Sequence, residues 1–140
     1  MKIPGAAEWR GSKSDPEVRN AHALFFGKSI DEVTDLFRGG QCIQRAQELR
    51  FMPRGAFRYY VHAFAKFVTA EQALDALGAR VFLGLLQSRE ELDPGSVGEI
   101  YGELSESIEF VASHQERFYA QDLDGSFGEL VMKVRAINTH

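Results

Sequence analysis

The stretch Pro53-Arg54-Gly55-Ala56-Phe57-Arg58-Tyr59-Tyr60-Val61-His62-Ala63-Phe64-Ala65-Lys66-Phe67-Val68 decides the fold. Phe57, Val61, Phe64 and Val68 recur at spacings of four, three and four, which places them on one stripe of an α-helix and fits no strand. Tyr60 and Phe67 widen that stripe, and Pro53 suits a first helical position, where its missing N–H costs nothing. The opposite side carries Arg54, Arg58, His62 and Lys66, the last three at four-residue steps along one basic edge. A helix so amphipathic needs further helices to cover it.

Working outward, the same signals repeat. Ser14-Asp15-Pro16-Glu17 has the composition of a helix start, and the helix it opens is expected to run to about Phe26. Ser29-Ile30-Asp31-Glu32 reads as a capping box for a second helix that ends at Gly39-Gly40. A short third helix is expected over Cys42–Arg50. Downstream, Thr69-Ala70-Glu71-Gln72 reads as another box, opening a central helix with Leu74, Leu77, Val81 and Leu85 inward and with Gly78 and Gly84 as points of close approach. Asp93-Pro94-Gly95 is a turn, and Ser96 to Glu99 opens what the pattern makes the longest helix, ending near Tyr119. Its apolar face is Val97, Ile100, Tyr101, Leu104, Ile108, Val111 and Phe118, and Glu99, Glu103, Glu106 and Glu109 lie on the other side. After a turn at Asp122–Gly125, Ser126–Glu129 introduces a last segment with Leu130, Val131, Val134 and Ile137 inward. That segment also alternates, so a short strand stays open. The fold class is all-α, a single-domain bundle of five to seven helices over 14–140, preceded by a loose arm, 1–13, anchored by Trp9.

The 140-residue chain is 44% apolar and 26% charged, as globular domains are. One cysteine, Cys42, allows no internal disulfide and no cysteine-rich zinc site. Neither an N-terminal secretory pattern nor a run of about eighteen apolar residues is present, so a cytoplasmic, non-membrane protein is expected. The formal charge of −4 is unevenly divided. Residues 1–87 hold twelve Lys and Arg against nine Asp and Glu, whereas residues 88–129 hold two against eleven. Such asymmetry speaks of partners and association rates.

Catalytic patterns are not evident. There is no nucleophile elbow, phosphate loop, His-Glu-x-x-His or paired Glu-x-x-His, so no catalytic residue, metal or cofactor is assigned and the reading leans away from an enzyme. His22 and His62 could meet Cys42 or Glu109 in space, but nothing in the spacing fixes such a meeting; all four histidines, His114 and His140 included, read as surface or hydrogen-bonded core positions. Two surfaces remain. The acidic stripe Glu99, Glu103, Glu106 and Glu109 suits docking to a basic protein partner. The edge Arg54, Arg58, Tyr59 and His62 is the alternative, a pocket for a small ligand or substrate with Glu109 or His114 opposite. Nucleic acid is disfavoured by the small basic patch and the acidic whole. A third alternative is a structural homo-oligomer through surplus apolar residues such as Phe25, Phe26, Phe82 and Leu83.

Leu49-Arg50-Phe51-Met52 followed by Ala56-Phe57-Arg58-Tyr59-Tyr60-Val61-His62-Ala63-Phe64 resembles the hallmark Phe-Arg-Tyr-Tyr helix of an uncharacterised bacterial family of small helical proteins. Val61-His62-Ala63 stands where that family usually carries Leu-Pro-Ala. The resemblance implies a bacterial, soluble, helical protein and carries no site residues across; some similar proteins are thought to be immunity partners of toxins. The function expected is therefore a non-enzymatic binding domain, immunity- or antitoxin-like, that engages a basic toxin through the acidic helix.

Overall fold

A computed structural model describes residues 2–10, 15–38, 40–70, 76–113 and 126–139. Among them the chain is all-α: α1 Pro16–Phe25, α2 Ile30–Val33 continuing into a 3-10 turn Thr34–Phe37, α3 Gln41–Phe51, α4 Arg54–Thr69, α5 Ala76–Leu92, α6 Tyr101–Ser113 after a 3-10 turn Gly98–Ile100, and α7 Ser126–Ala136 ending in a 3-10 turn Ile137–Thr139. None of the described helices is long and apolar enough to cross a membrane.

Helix α4 buries its stripe in the core and packs on several elements, as does α5, the helix expected to be central. Phe57, Tyr60, Val61 and Phe64 are completely buried, and Val68 nearly so. Phe37 stacks on Phe64 at 4.5 Å, Phe64 meets Phe82 of α5 edge-on at 5.4 Å, and Tyr60 meets Phe25 of α1 at 5.0 Å. Thus α4 ties α1, the α2 turn and α5 into one core. Helix α3 packs on α5, α6 on α4, and α7 on α5. The Tyr60 hydroxyl shares its proton between the carbonyls of Phe25 and Lys28, satisfying the polar end of a buried ring. Burial pushes that phenol up to about 12.

Helix ends follow local chemistry, with some differences from expectation. The Ser29–Glu32 capping box forms, each side chain accepting the other residue's backbone N–H. At α1 the cap is Asp15, whose carboxylate accepts from Glu17 N at 2.9 Å; Ser14 lies outside the described residues. Pro53 is the N-cap of α4, one position earlier than expected. Thr69 closes α4, its hydroxyl donating to Ala65 O, with Ala70 as the C-cap; Glu71 and Gln72 of the box expected at 69–72 lie outside the described residues.

Helix α5 corrects the expected inward face. Leu77 is 38% exposed and Val81 half-buried, whereas Ala79, Phe82, Leu83 and Leu86 are completely buried beside Leu85. Contact with α3, α4 and α7 buries this helix on several sides, so the apolar residues do not mark one face. A Cβ added at Gly84 would meet nothing within 4 Å, so no close helix approach needs that glycine. Helix α6 starts after a 3-10 turn, and Ser96 does not cap it; the Ser96 hydroxyl is buried against Arg89. The last segment is a helix, with Phe127, Val131, Val134 and Ile137 buried at helical spacing. Leu74, Phe118, the turn at 122–125, His114 and His140 lie outside the described residues. Phe25, Phe82 and Leu83, offered above as surplus for self-association, are wholly buried, while Phe26 is 40% exposed.

The N-terminal segment lies on the bundle. Trp9 is 2% exposed, edge-on to His22 at 5.3 Å and tilted against Tyr60 at 6.1 Å, and Pro4 is buried. Glu8 crosses α4 at Gly55, where a Cβ would come within 3.0 Å of the Glu8 Cγ. Gly55 is thus the point that lets the segment approach.

Candidate functional site

The basic edge of α4 and the acidic edge leading into α6 face each other. Arg54 forks onto Asp93, its Nε at 3.0 Å from Oδ2 and its Nη2 at 2.5 Å from Oδ1, and donates to Pro94 O at 2.9 Å. Its Nη1 reaches Glu99 at 3.1 Å. Arg58 lies 3.2 Å from the same Glu99 and donates to Gly95 O. One helical turn further, His62 Nε2 stands 3.3 Å from Glu103 Oε1. Lys66 leaves this row and pairs with Asp31 of α2. Glu109 is held by Arg135 of α7 through two hydrogen bonds, at 2.6 and 3.0 Å.

Three of the four acids assigned to a partner are therefore engaged within the molecule. Only Glu106 among them has no partner among the described residues, and it is exposed. The alternative group is also divided. Arg54 is committed to the Asp93 turn, and Tyr59 is 5% exposed with its hydroxyl accepting from Ile30 N at 3.1 Å, which removes it as a free stacking platform. The electrostatics agree with this geometry. The hydrogen bond from Arg54 holds the Asp93 carboxyl below its usual range, and the one from Arg135 does the same for Glu109. Burial lowers His62, with Glu103 opposing, so the imidazole is held toward its neutral form.

Two residues that sequence reasoning passed over organise this end of the bundle. Arg89, 3% exposed, donates from Nη1 to the carbonyls of Arg50 and Met52 at 2.7 and 2.6 Å, capping the C-terminus of α3. Its other nitrogens reach Ser96 and Asp93. Glu90 accepts from the backbone N–H groups of Gly95, Val97 and Gly98 at 2.7 to 2.9 Å, so a carboxylate of the chain itself occupies the anion-seeking start of the α6 region. The available signal was register: Arg89 stands seven residues after Phe82, on the same buried face.

Two concavities flank the charged seam. A groove of about 500 Å³ at the α5–α6 turn is lined by Glu90, Glu91, Pro94, Gly95, Gly98 and Glu99. A cleft of about 290 Å³ lies between the N-terminal segment and the α4–α6 pair, lined by Lys2, Ile3, Pro4, Glu8, Gly55, Arg58, Tyr59, Ile100 and Glu103. The two candidate edges share this cleft through Arg58, Tyr59 and Glu103; Arg54 and His62 are absent from its lining. Elsewhere His22 stacks on Phe26 at 4.4 Å and Cys42 is buried. Among the described residues no three His, Cys, Asp or Glu side chains assemble into a metal-binding group. No protein-family model, no curated protein and no solved structure matches this chain.

Proposed function

We propose that this chain is a non-enzymatic binding domain that takes a basic segment of a partner protein at the groove of the α5–α6 turn. The observation that carries this reading is the acidic lining of the groove, in which backbone N–H groups hold Glu90, Arg54 and Arg58 hold Glu99, and Glu91 is left open at the rim. Glu91 is exposed, and Leu92 beside it is 48% exposed, so an acidic rim adjoins an apolar contact. Glu106, exposed and without a partner among the described residues, extends the acidic surface along α6. A partner segment bearing Lys or Arg next to an apolar residue complements that surface, and opposing potentials speed encounter and reject acidic competitors. An immunity- or antitoxin-like role, in which a small acidic protein occludes a basic toxin, fits this chemistry and the family resemblance of α4.

The test uses Glu91→Lys combined with Glu106→Lys, because neither acid is paired with α4 or α7. Reversing all four glutamates assigned from sequence would also break the pairs to Arg54, Arg58, His62 and Arg135 and confuse binding with folding. Basic proteins from a low-salt lysate that bind the wild type are expected to lose about tenfold in affinity for the variant, about 1.4 kcal/mol, and to dissociate as salt rises. Equal retention by both proteins at every salt concentration contradicts the reading.

A further inference from the structure

We infer that the cleft between the N-terminal segment and the α4–α6 pair binds a free α-amino acid with an apolar side chain. This goes beyond the groove reading and does not depend on it. The cleft is lined by opposite charges and apolar residues together: Arg58 and Lys2, Glu103 and Glu8, and Ile3, Pro4 and Ile100.

The spacing of the charges selects the ligand. Arg58 meets Glu99, and one turn along both partners His62 meets Glu103. Arg58 and Glu103 are thus offset by about one helical turn, roughly 5.4 Å. An α-amino acid carries its carboxylate and ammonium on neighbouring atoms, so one ligand spans that offset, with carboxylate on guanidinium and ammonium on carboxylate. Arg58 Nη2 is used by Gly95 O and Glu99, which leaves Nη1 with no acceptor among the described residues. Glu103 is 54% exposed and meets His62 on one side only, at 3.3 Å, so its carboxylate is open to an incoming cation from the cleft. At about 290 Å³ the cleft falls just below the roughly 300–1,000 Å³ of sites for drug-sized ligands, which suits a metabolite. Dependence on the N-terminal segment follows, since Ile3 and Pro4 form one wall.

Calorimetric titration with L-leucine, L-methionine and L-phenylalanine tests the inference on the full chain. N-acetyl-L-leucine, which lacks the ammonium, and L-leucinamide, which lacks the carboxylate, separate the two contacts. Binding of at least one of the three amino acids is expected, with a loss of tenfold or more for leucine's two derivatives and for Glu103→Gln. Arg58→Gln is expected to lose binding equally; if it does not fold, Glu103→Gln, at an exposed position, carries the test. No binding of any of the three at millimolar concentration overturns the inference. So does binding of either derivative as tightly as leucine itself, or unchanged affinity in folded Glu103→Gln.

Discussion

The guanidinium carbon of Arg89 sits 4.6 Å from the centroid of the Phe57 ring, so a buried cation lies on the aromatic stripe that organises the bundle. Burial lowers the Arg89 pKa, with Asp93 opposing; the residue remains a cation, because arginine does not deprotonate in proteins. Its donors satisfy the carbonyls that end α3 and tie them to the turn preceding α6. Arg89→Ala removes those bonds and leaves a void and orphaned carbonyls, at a cost of about 3 kcal/mol or more in denaturant unfolding. Arg89→Lys is expected to recover little, since an ammonium cannot serve the α3 carbonyls, Ser96 and Asp93 together.

His62 gives the fold a pH dependence whose sign is set by burial. Its folded pKa lies below the ordinary 6.5, so the unfolded chain binds the proton first as pH falls. Stability is complete above about 6.5 and declines below it. Glu48, raised by burial above its ordinary 4.5, works in the opposite direction: its folded form keeps the proton longer, which favours folding at low pH and is lost as pH rises through its folded value. The difference between wild type and His62→Gln isolates the histidine. Unfolding midpoints measured on either side of pH 6.5 should converge in the variant; an identical pH slope in both proteins would reject this role.

Gly55 controls the seating of the N-terminal segment. In Gly55→Ala the new methyl would press on the Glu8 side chain, while alanine gains up to about 1 kcal/mol of helix propensity in α4. The expected result is a global melting temperature unchanged or slightly raised, with acrylamide quenching of Trp9, the sole tryptophan, increased. Unchanged quenching would mean that Glu8 gives way without moving the segment.

The acidic residues differ in what they hold. Glu99→Lys places a third cation against Arg54 and Arg58 and is expected to cost about 1 kcal/mol, whereas Glu106→Lys should be neutral within about 0.5 kcal/mol. Thermal unfolding at low salt measures the difference, and added salt should shrink it.

What was legible in the sequence was whatever a single helix dictates. The α4 stripe, the Ser29–Glu32 box and the face of Ile100, Leu104 and Ile108 each follow from local spacing and appear as read. The phase of α5 was hidden because several neighbours bury it, so apolarity marked no single side. The seam was harder still. Arg54 and Asp93 are 39 residues apart, and a charge pattern reveals an acidic stripe without revealing which cations cover it. Hence Glu99, Glu103 and Glu109 read as a docking stripe that could equally be covered by the basic edge of the same molecule, and the fold does engage them. Arg89 stayed concealed because its register after Phe82 marks a buried position without showing that the α3 carbonyls, distant in sequence, lie there to accept from it.

The most direct test of the proposed binding role is to titrate isotope-labelled protein with a short peptide of alternating lysine and leucine and follow the backbone amide NMR signals. The account predicts shifts concentrated at Glu91, Leu92, Gly95, Gly98 and Glu99, suppressed by salt and absent with the glutamate counterpart of the peptide. Shifts spread evenly over the surface, or none at the α5–α6 turn, would contradict it.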